Sequence, residues 1–93
     1  MIQVTERAKE KLKGMLDNLH TQPGDGWRLE VSTDGEYGLI VGTETEGDQV
    51  VRYGETNVLL VDGETTRRLD GAVVDVRDSE EGQQLTLRRK QES

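Results

Sequence analysis

The spacing of the apolar residues changes once along the chain, and this change constrains the fold more than any other feature. In the first twenty residues they recur at helical spacing and form one stripe, made by Ala8, Leu12, Met15, Leu16 and Leu19. After Gly26 they alternate with polar residues, as in Trp27-Arg28-Leu29, which is typical of half-buried strands. The sequence therefore predicts an amphipathic helix over residues 5–19, with Thr5 as its N-cap, followed by β-structure.

Turn signals divide the remaining sequence into about six short strands. Residues 39–53 are predicted to form a hairpin around Glu46-Gly47-Asp48, and Val58-Leu59-Leu60-Val61 reads as a strand buried on both faces. Asp62 can cap a short helical turn over 64–69, and two strands over 72–76 and 84–88 follow. The predicted fold class is mainly β: two small packed sheets or an irregular barrel, with the N-terminal helix across it.

Charge and composition exclude several classes of protein. The net charge of -7 argues against nucleic acid or an anionic membrane as a partner, and the lack of cysteine excludes disulfides, thiolate nucleophiles and cysteine-ligated metals. No apolar run approaches the roughly 18 residues of a membrane span, so we expect a cytoplasmic protein. We expect residues 1–93 to form one domain, with 90–93 as a frayed tail.

No catalytic residue, cofactor site or metal site can be assigned from the residues themselves. His20 is the single histidine, and no serine or cysteine signature accompanies it, so we expect no enzyme. The acidic stretch over residues 44–48 lacks the spacing of an EF-hand and is interpreted as a hairpin turn. Residues 29–66 hold nine acidic residues and one basic residue, which indicates a solvated acidic surface or a face for a basic partner.

Several segments in order resemble the HesB/IscA-like family of A-type iron-sulfur carriers. The resemblance begins with Ile2-Gln3-Val4-Thr5-Glu6-Arg7-Ala8 and continues with Trp27-Arg28-Leu29-Glu30-Val31 before a glycine-flanked loop. It ends with Val61-Asp62, Thr65, Leu69-Asp70-Gly71 and Val74-Asp75. In that family three cysteines, one in a Gly-Cys-Ser-Gly loop and two in a Cys-Gly-Cys tail, hold a cluster or iron between the subunits of a dimer.

This sequence departs from the family at every ligand position. The loop reads Gly35-Glu36-Tyr37-Gly38, so Glu36 stands in the place of the first cysteine, and the Cys-Gly-Cys tail is absent. One carboxylate is a poor replacement for three soft thiolates, so we expect no cluster. The resemblance implies a tendency to pair, to which the tail and the cluster contribute. Both are missing here, so we expect a monomer or a weak dimer.

A sequence that resembles this family but lacks its cysteine ligands is compatible with two functions. The first is a non-catalytic accessory or adaptor in iron-sulfur cluster biogenesis, whose partners are assembly proteins or a cysteine-bearing relative. The alternative is a binding module in which Asp34, Glu36 and Tyr37 face a hard cation or a small polar ligand.

Overall fold

The computed structural model describes residues 1–89, and the predicted frayed tail over 90–93 lies outside them. The elements along the chain are β1 (Gln3–Val4), α1 (Glu6–Asp17), β2 (Asp25–Val31), β3 (Tyr37–Thr43), β4 (Gln49–Tyr53), β5 (Thr56–Val61), α2 (Gly63–Arg68), β6 (Val73–Ser79) and β7 (Gly82–Arg88). These seven strands form two sheets and no closed barrel, so the mainly β prediction with two packed sheets is confirmed.

Helix α1 begins where the sequence predicted and ends earlier. The Thr5 hydroxyl oxygen accepts a hydrogen bond from the Ala8 N–H at 3.2 Å, which satisfies one of the free amides of the first turn. Ala8, Leu12 and Leu16 are buried against the sheets. Leu19 lies beyond the helix and is exposed, so its place in the predicted stripe is wrong.

The four-stranded sheet has the order β3-β2-β5-β4. Strands β2 and β5 are parallel neighbours at its centre, while β3 pairs antiparallel with β2 and β4 pairs antiparallel with β5. Val58–Val61 in β5 are all buried, as the continuous apolar run predicted. Successive side chains of a strand point to opposite faces of the sheet, so burial of all four residues means that both faces are covered here and explains why this run has no polar face.

The predicted hairpin over residues 39–53 is wrong, because β3 and β4 lie at opposite edges of the sheet. A tight turn between β2 and β3 makes these two strands pair. A second turn at Gly54, which has a φ of +63°, makes β4 pair with β5. The segment over 44–48 therefore crosses the end of the sheet instead of closing a hairpin.

The three-stranded sheet has the order β1-β6-β7 and includes a strand that the sequence did not reveal. Strand β1 has two residues and pairs parallel with β6, with backbone bonds from Gln3 N–H to the Ala72 carbonyl at 2.8 Å and from Thr5 N–H to the Val74 carbonyl at 3.0 Å. The antiparallel pair β6–β7 is confirmed. The cap of α2 is confirmed as well, since Asp62 accepts from the Thr65 N–H at 2.7 Å.

The core lies between the two sheets and α1. Helix α1 contacts β4, β5 and β6, and Leu12 and Leu59 at the centre are each 1% exposed. Trp27 is half-buried beside this core, and its indole N–H donates to the Leu12 carbonyl at 3.1 Å. This bond satisfies the polar end of the ring while the rest of the side chain packs against apolar neighbours.

Candidate functional site

The glycine-flanked loop that carries the family resemblance is a tight turn between β2 and β3. Gly35 N–H donates to the Ser32 carbonyl at 2.9 Å, and Ser32 N–H donates to the Glu36 carbonyl at 2.8 Å. Gly35 has a φ of +82°, a left-handed conformation that glycine adopts without a steric penalty. This pattern is a three-residue hairpin loop with a bulge, in which local backbone bonds and one glycine fix the turn.

The three predicted site residues lie next to one another and are all exposed. Asp34 is in the turn, Glu36 precedes β3, and Tyr37 is its first residue and 43% exposed. The Glu36 N–H donates to the Ser32 hydroxyl at 3.1 Å, which holds the backbone of the loop. Across residues 1–89, no group of three or more histidine, aspartate or glutamate side chains is placed to hold a metal ion.

An open apolar groove of about 440 Å³ begins beside Tyr37. It runs between β3 and β7, the facing edge strands of the two sheets. One side is lined by Tyr37, Gly38 and Leu39, and the other by Leu85, Thr86 and Leu87. Its floor is formed by core side chains, among them Leu12, Leu29 and Leu59. The groove was not predictable from the sequence because its two sides are far apart in the chain and the predicted β3–β4 hairpin put β3 in the wrong place.

A nearly buried ion pair fixes the opposite end of β3. The Arg28 guanidinium donates to both carboxylate oxygens of Asp48, at 2.8 and 3.1 Å, and to the Thr43 carbonyl at 3.1 Å. Asp48 also accepts from the Thr45 N–H at 2.8 Å and from its hydroxyl at 3.1 Å. An arginine of β2 thus holds the segment over 44–48 in place. The carboxylate oxygens of Asp48 already accept hydrogen bonds from Arg28 and Thr45.

This ion pair shifts the pKa values of both partners. Hydrogen bonds from Arg28 lower the pKa of Asp48 to about 2, with smaller contributions from Thr45, against an opposing effect of burial. The same hydrogen bonds raise the pKa of Arg28. Both groups are therefore ionised at neutral pH, and their arrangement is structural, with no proton to donate or accept.

The fold is that of the A-type iron-sulfur carriers, here without a cysteine anywhere in the sequence. The crystal structure of Escherichia coli SufA, a protein involved in the biosynthesis of iron-sulfur clusters, superposes with a TM-score of 0.74 and 22% identity, over 95% of this chain and 84% of SufA. The crystal structure of IscA with the 2Fe-2S cluster superposes with a TM-score of 0.61 and 16% identity, over 96% of this chain and 85% of IscA.

These similarities confirm the predicted resemblance at the level of the fold. No family model matches the sequence, and no curated protein matches it. No helix within residues 1–89 is both long and apolar enough to cross a membrane.

Proposed function

We propose that this protein is a non-catalytic accessory or adaptor in iron-sulfur cluster biogenesis that works in the cytoplasm through contacts with other proteins. The observation that carries the proposal is a carrier-like fold over 95% of the chain combined with a sequence that has no cysteine. Iron-sulfur clusters are bound by thiolates, with histidine as the usual substitute, and the only histidine here, His20, lies just after α1. A protein with this fold and without cluster ligands would act through its surface, by binding other proteins.

The structure of the loop supports this proposal. At the position where the resemblance places a cysteine, Glu36 has an exposed carboxylate next to a hydrogen-bonded turn, and a single hard carboxylate does not replace a soft thiolate. The cation-binding alternative stays a prediction, and no contact of Asp34, Glu36 or Tyr37 favours it over the adaptor.

The first experiment is a pull-down from native lysate with the full chain as bait. A folded acidic protein of similar size and net charge is the control bait, so that capture by charge alone is subtracted. We expect specific recovery of cluster-assembly proteins or of a cysteine-bearing relative. Repeated recovery of only unrelated proteins would count against the adaptor role.

The second experiment separates an adaptor from a carrier. The protein is incubated anaerobically with a cysteine-bearing A-type carrier loaded with its cluster, and the mixture is resolved by gel filtration with iron and sulfide analysis. We expect co-elution of the two proteins with the cluster still on the cysteine-bearing partner. Transfer of iron and sulfide to this chain alone would overturn the proposal.

The cation alternative is tested by dialysis against Fe²⁺, Mn²⁺ or Ca²⁺ followed by elemental analysis. Stoichiometric metal that the Glu36→Ala variant loses would support a metal site at the loop. Metal-free protein would leave the adaptor as the single proposal.

A further inference from the structure

Strand β3 has a free edge with backbone groups ready to pair. In the part of the chain that the structure describes, β3 pairs only with β2. In an antiparallel pair of strands, every second pair of opposed residues is joined by backbone hydrogen bonds. Ser32 and Glu36 are such a bonded pair, so the next bonded pairs are Glu30–Gly38 and Arg28–Ile40. The N–H and C=O groups of the intervening residues, Tyr37, Leu39 and Val41, therefore point away from β2 toward the open edge.

The apolar groove lies directly inside this edge. Tyr37, Leu39 and Val41 are the register partners of Val31, Leu29 and Trp27, and they share the face that looks toward the core. Tyr37 and Val41 are nevertheless 43% and 39% exposed, so this side of β3 is only partly covered. A strand added to β3 would place every second side chain over the groove.

The charge pattern of β3 is unusual for an exposed edge. Charged residues make up 33% of the chain, yet residues 37–43 contain none, although natural edge strands commonly use charges to prevent pairing. Acidic side chains flank the uncharged stretch on both sides and are all exposed: Asp34, Glu36, Glu44 and Glu46. The edge therefore presents an apolar centre between two negative ends.

We propose that the β3 edge docks an extended segment of a partner protein by β-strand addition. The segment has apolar side chains at alternate positions, which enter the groove, and Lys or Arg at its ends, which meet the acidic flanks. The inference deepens the adaptor role and rests on it for the source of the segment. The binding chemistry itself follows from the free edge, the groove and the charges.

A second copy of the chain fits this edge poorly. Edge pairing in a two-fold dimer is antiparallel, and in the register centred on Ile40 it would set Glu36 of one copy against Glu44 of the other at both ends of the pair. Like charges directly opposite one another destabilise such pairs. The chain's own residues 90–93 contain no apolar side chain with which to fill the groove.

The test is a titration with a synthetic peptide of sequence Lys-Lys-Val-Thr-Ile-Ser-Val-Lys-Lys. Trp27 is the only tryptophan and is paired with Val41, so its fluorescence reports occupancy of the β3 edge. We expect saturable binding that weakens as NaCl is raised. The peptide with glutamate in place of all four lysines, and one with proline in place of the central isoleucine, should not bind.

Two neighbouring residues of β3 provide a matched pair of variants. Val41→Gln changes the core-facing side of β3, next along that side from the groove-lining residue Leu39, and Ile40→Gln changes the outer face, where Ile40 is 51% exposed. We expect Val41→Gln to weaken peptide binding by about tenfold, as for an anchoring side chain, and Ile40→Gln to leave it unchanged. Equal effects of the two variants, or no binding by the wild-type protein, would overturn the proposal.

The contribution of the acidic residues beside β3 is tested against an acidic residue at the opposite edge of the sheet. Glu36→Gln should weaken binding by roughly twofold to threefold, as for an exposed ion pair, and Glu55→Gln, in the β4–β5 turn, should not. Sedimentation of the free protein completes the test, because a dimer that Val41→Gln dissociates would assign the edge to a second copy and overturn the proposal.

Failure of this inference and failure of the adaptor role are distinguishable. If the pull-down recovers assembly proteins equally well with wild-type and Val41→Gln baits, the adaptor role stands and docking at β3 is wrong. If the peptide binds as expected and the pull-down recovers only unrelated proteins, the edge is a docking site and the adaptor role is wrong.

Discussion

Arg28 and Asp48 form a two-pronged ion pair across 20 positions of sequence, with Asp48 only 1% and Arg28 19% exposed at the side chain. The pair joins central strand β2 to the segment that carries the chain from β3 to β4. It therefore anchors the crossover between the two edges of the sheet. A charge this deeply covered is stable only while its partner remains in place.

The first prediction compares this pair with an exposed one. Asp48→Ala leaves the covered Arg28 guanidinium without its carboxylate and should lower the free energy of unfolding by about 3 kcal/mol. Asp78→Ala removes an aspartate that binds Arg7 with both oxygens, at 2.9 and 3.1 Å, but both side chains there are more than half exposed. Its cost should stay below about 1 kcal/mol in urea unfolding. Similar costs for both variants would show that burial is not what makes the Arg28–Asp48 pair important.

The second prediction concerns acid. The pKa of Asp48 is lowered to about 2 from an ordinary 3.8, so the folded state binds its proton less readily than the unfolded state. The resulting stabilisation, about 2 kcal/mol, is complete above pH ~4 and is lost as the pH falls toward ~2. Urea unfolding at a series of pH values should show this decline in stability, and Asp48→Asn should make the decline shallower. An unchanged decline in the variant would contradict the assignment.

Two other carboxylates contribute to the acid response in the same direction. The Thr65 N–H lowers the pKa of Asp62, and the Val76 N–H lowers that of Asp75, with further help from the Thr5 hydroxyl. For this reason Asp48→Asn should reduce the acid sensitivity without abolishing it.

Elements fixed by neighbouring residues were predictable from the sequence. The start of α1, the cap of α2 and the β6–β7 pair follow from local spacing, capping side chains and turn residues, and all three are confirmed. The order of the four-stranded sheet depends on which strands meet after folding. Alternation in β3 shows that it is a strand, but it does not show that β3 pairs with β2 and not with β4.

The candidate site was predictable only in part, for a similar reason. The family resemblance located the loop at Glu36, and that loop is exposed. The groove beside it needs Leu39 and Leu85 to approach from two different sheets, and no local pattern encodes that approach. Asp48 looked like a turn residue because a charged residue between glycine and glutamine gives no sign of burial.

The third prediction tests the link between α1 and β6. The Thr5 hydroxyl accepts from the Ala8 N–H and donates to the Asp75 carboxylate at 2.8 Å, so one side chain caps the helix and holds the strand. Thr5→Ala should lower the free energy of unfolding by about 1–2 kcal/mol. Thr5→Ser keeps the hydroxyl and should stay within about 0.5 kcal/mol of wild type. Thermal unfolding followed by circular dichroism provides the comparison, and equal losses in both variants would contradict a role for the hydroxyl.

The fourth prediction concerns two glycines whose surroundings differ. A Cβ at Gly42 would lie 2.6 Å from Cδ and 3.0 Å from Cγ of Arg28, while a Cβ at Gly14 in α1 meets nothing within 4 Å. The Arg28 head group is held by Asp48, so its stem cannot swing aside without breaking the ion pair. Gly42→Ala should cost about 1–3 kcal/mol, and Gly14→Ala should stabilise the protein by up to about 1 kcal/mol.

The double variant shows whether Gly42 acts through the ion pair. In an Asp48→Ala background the Arg28 side chain keeps its hydrogen bond to the Thr43 carbonyl and loses the two to Asp48, so it can move more easily and adding Gly42→Ala should cost less than it does in the wild-type protein. Urea unfolding of the four proteins in this cycle measures the coupling between the two positions directly. Additive losses would mean that the methyl group disturbs the β2–β3 backbone instead of the arginine. Coupled losses would show that the missing side chain at Gly42 is what lets Arg28 cross β3 and reach Asp48.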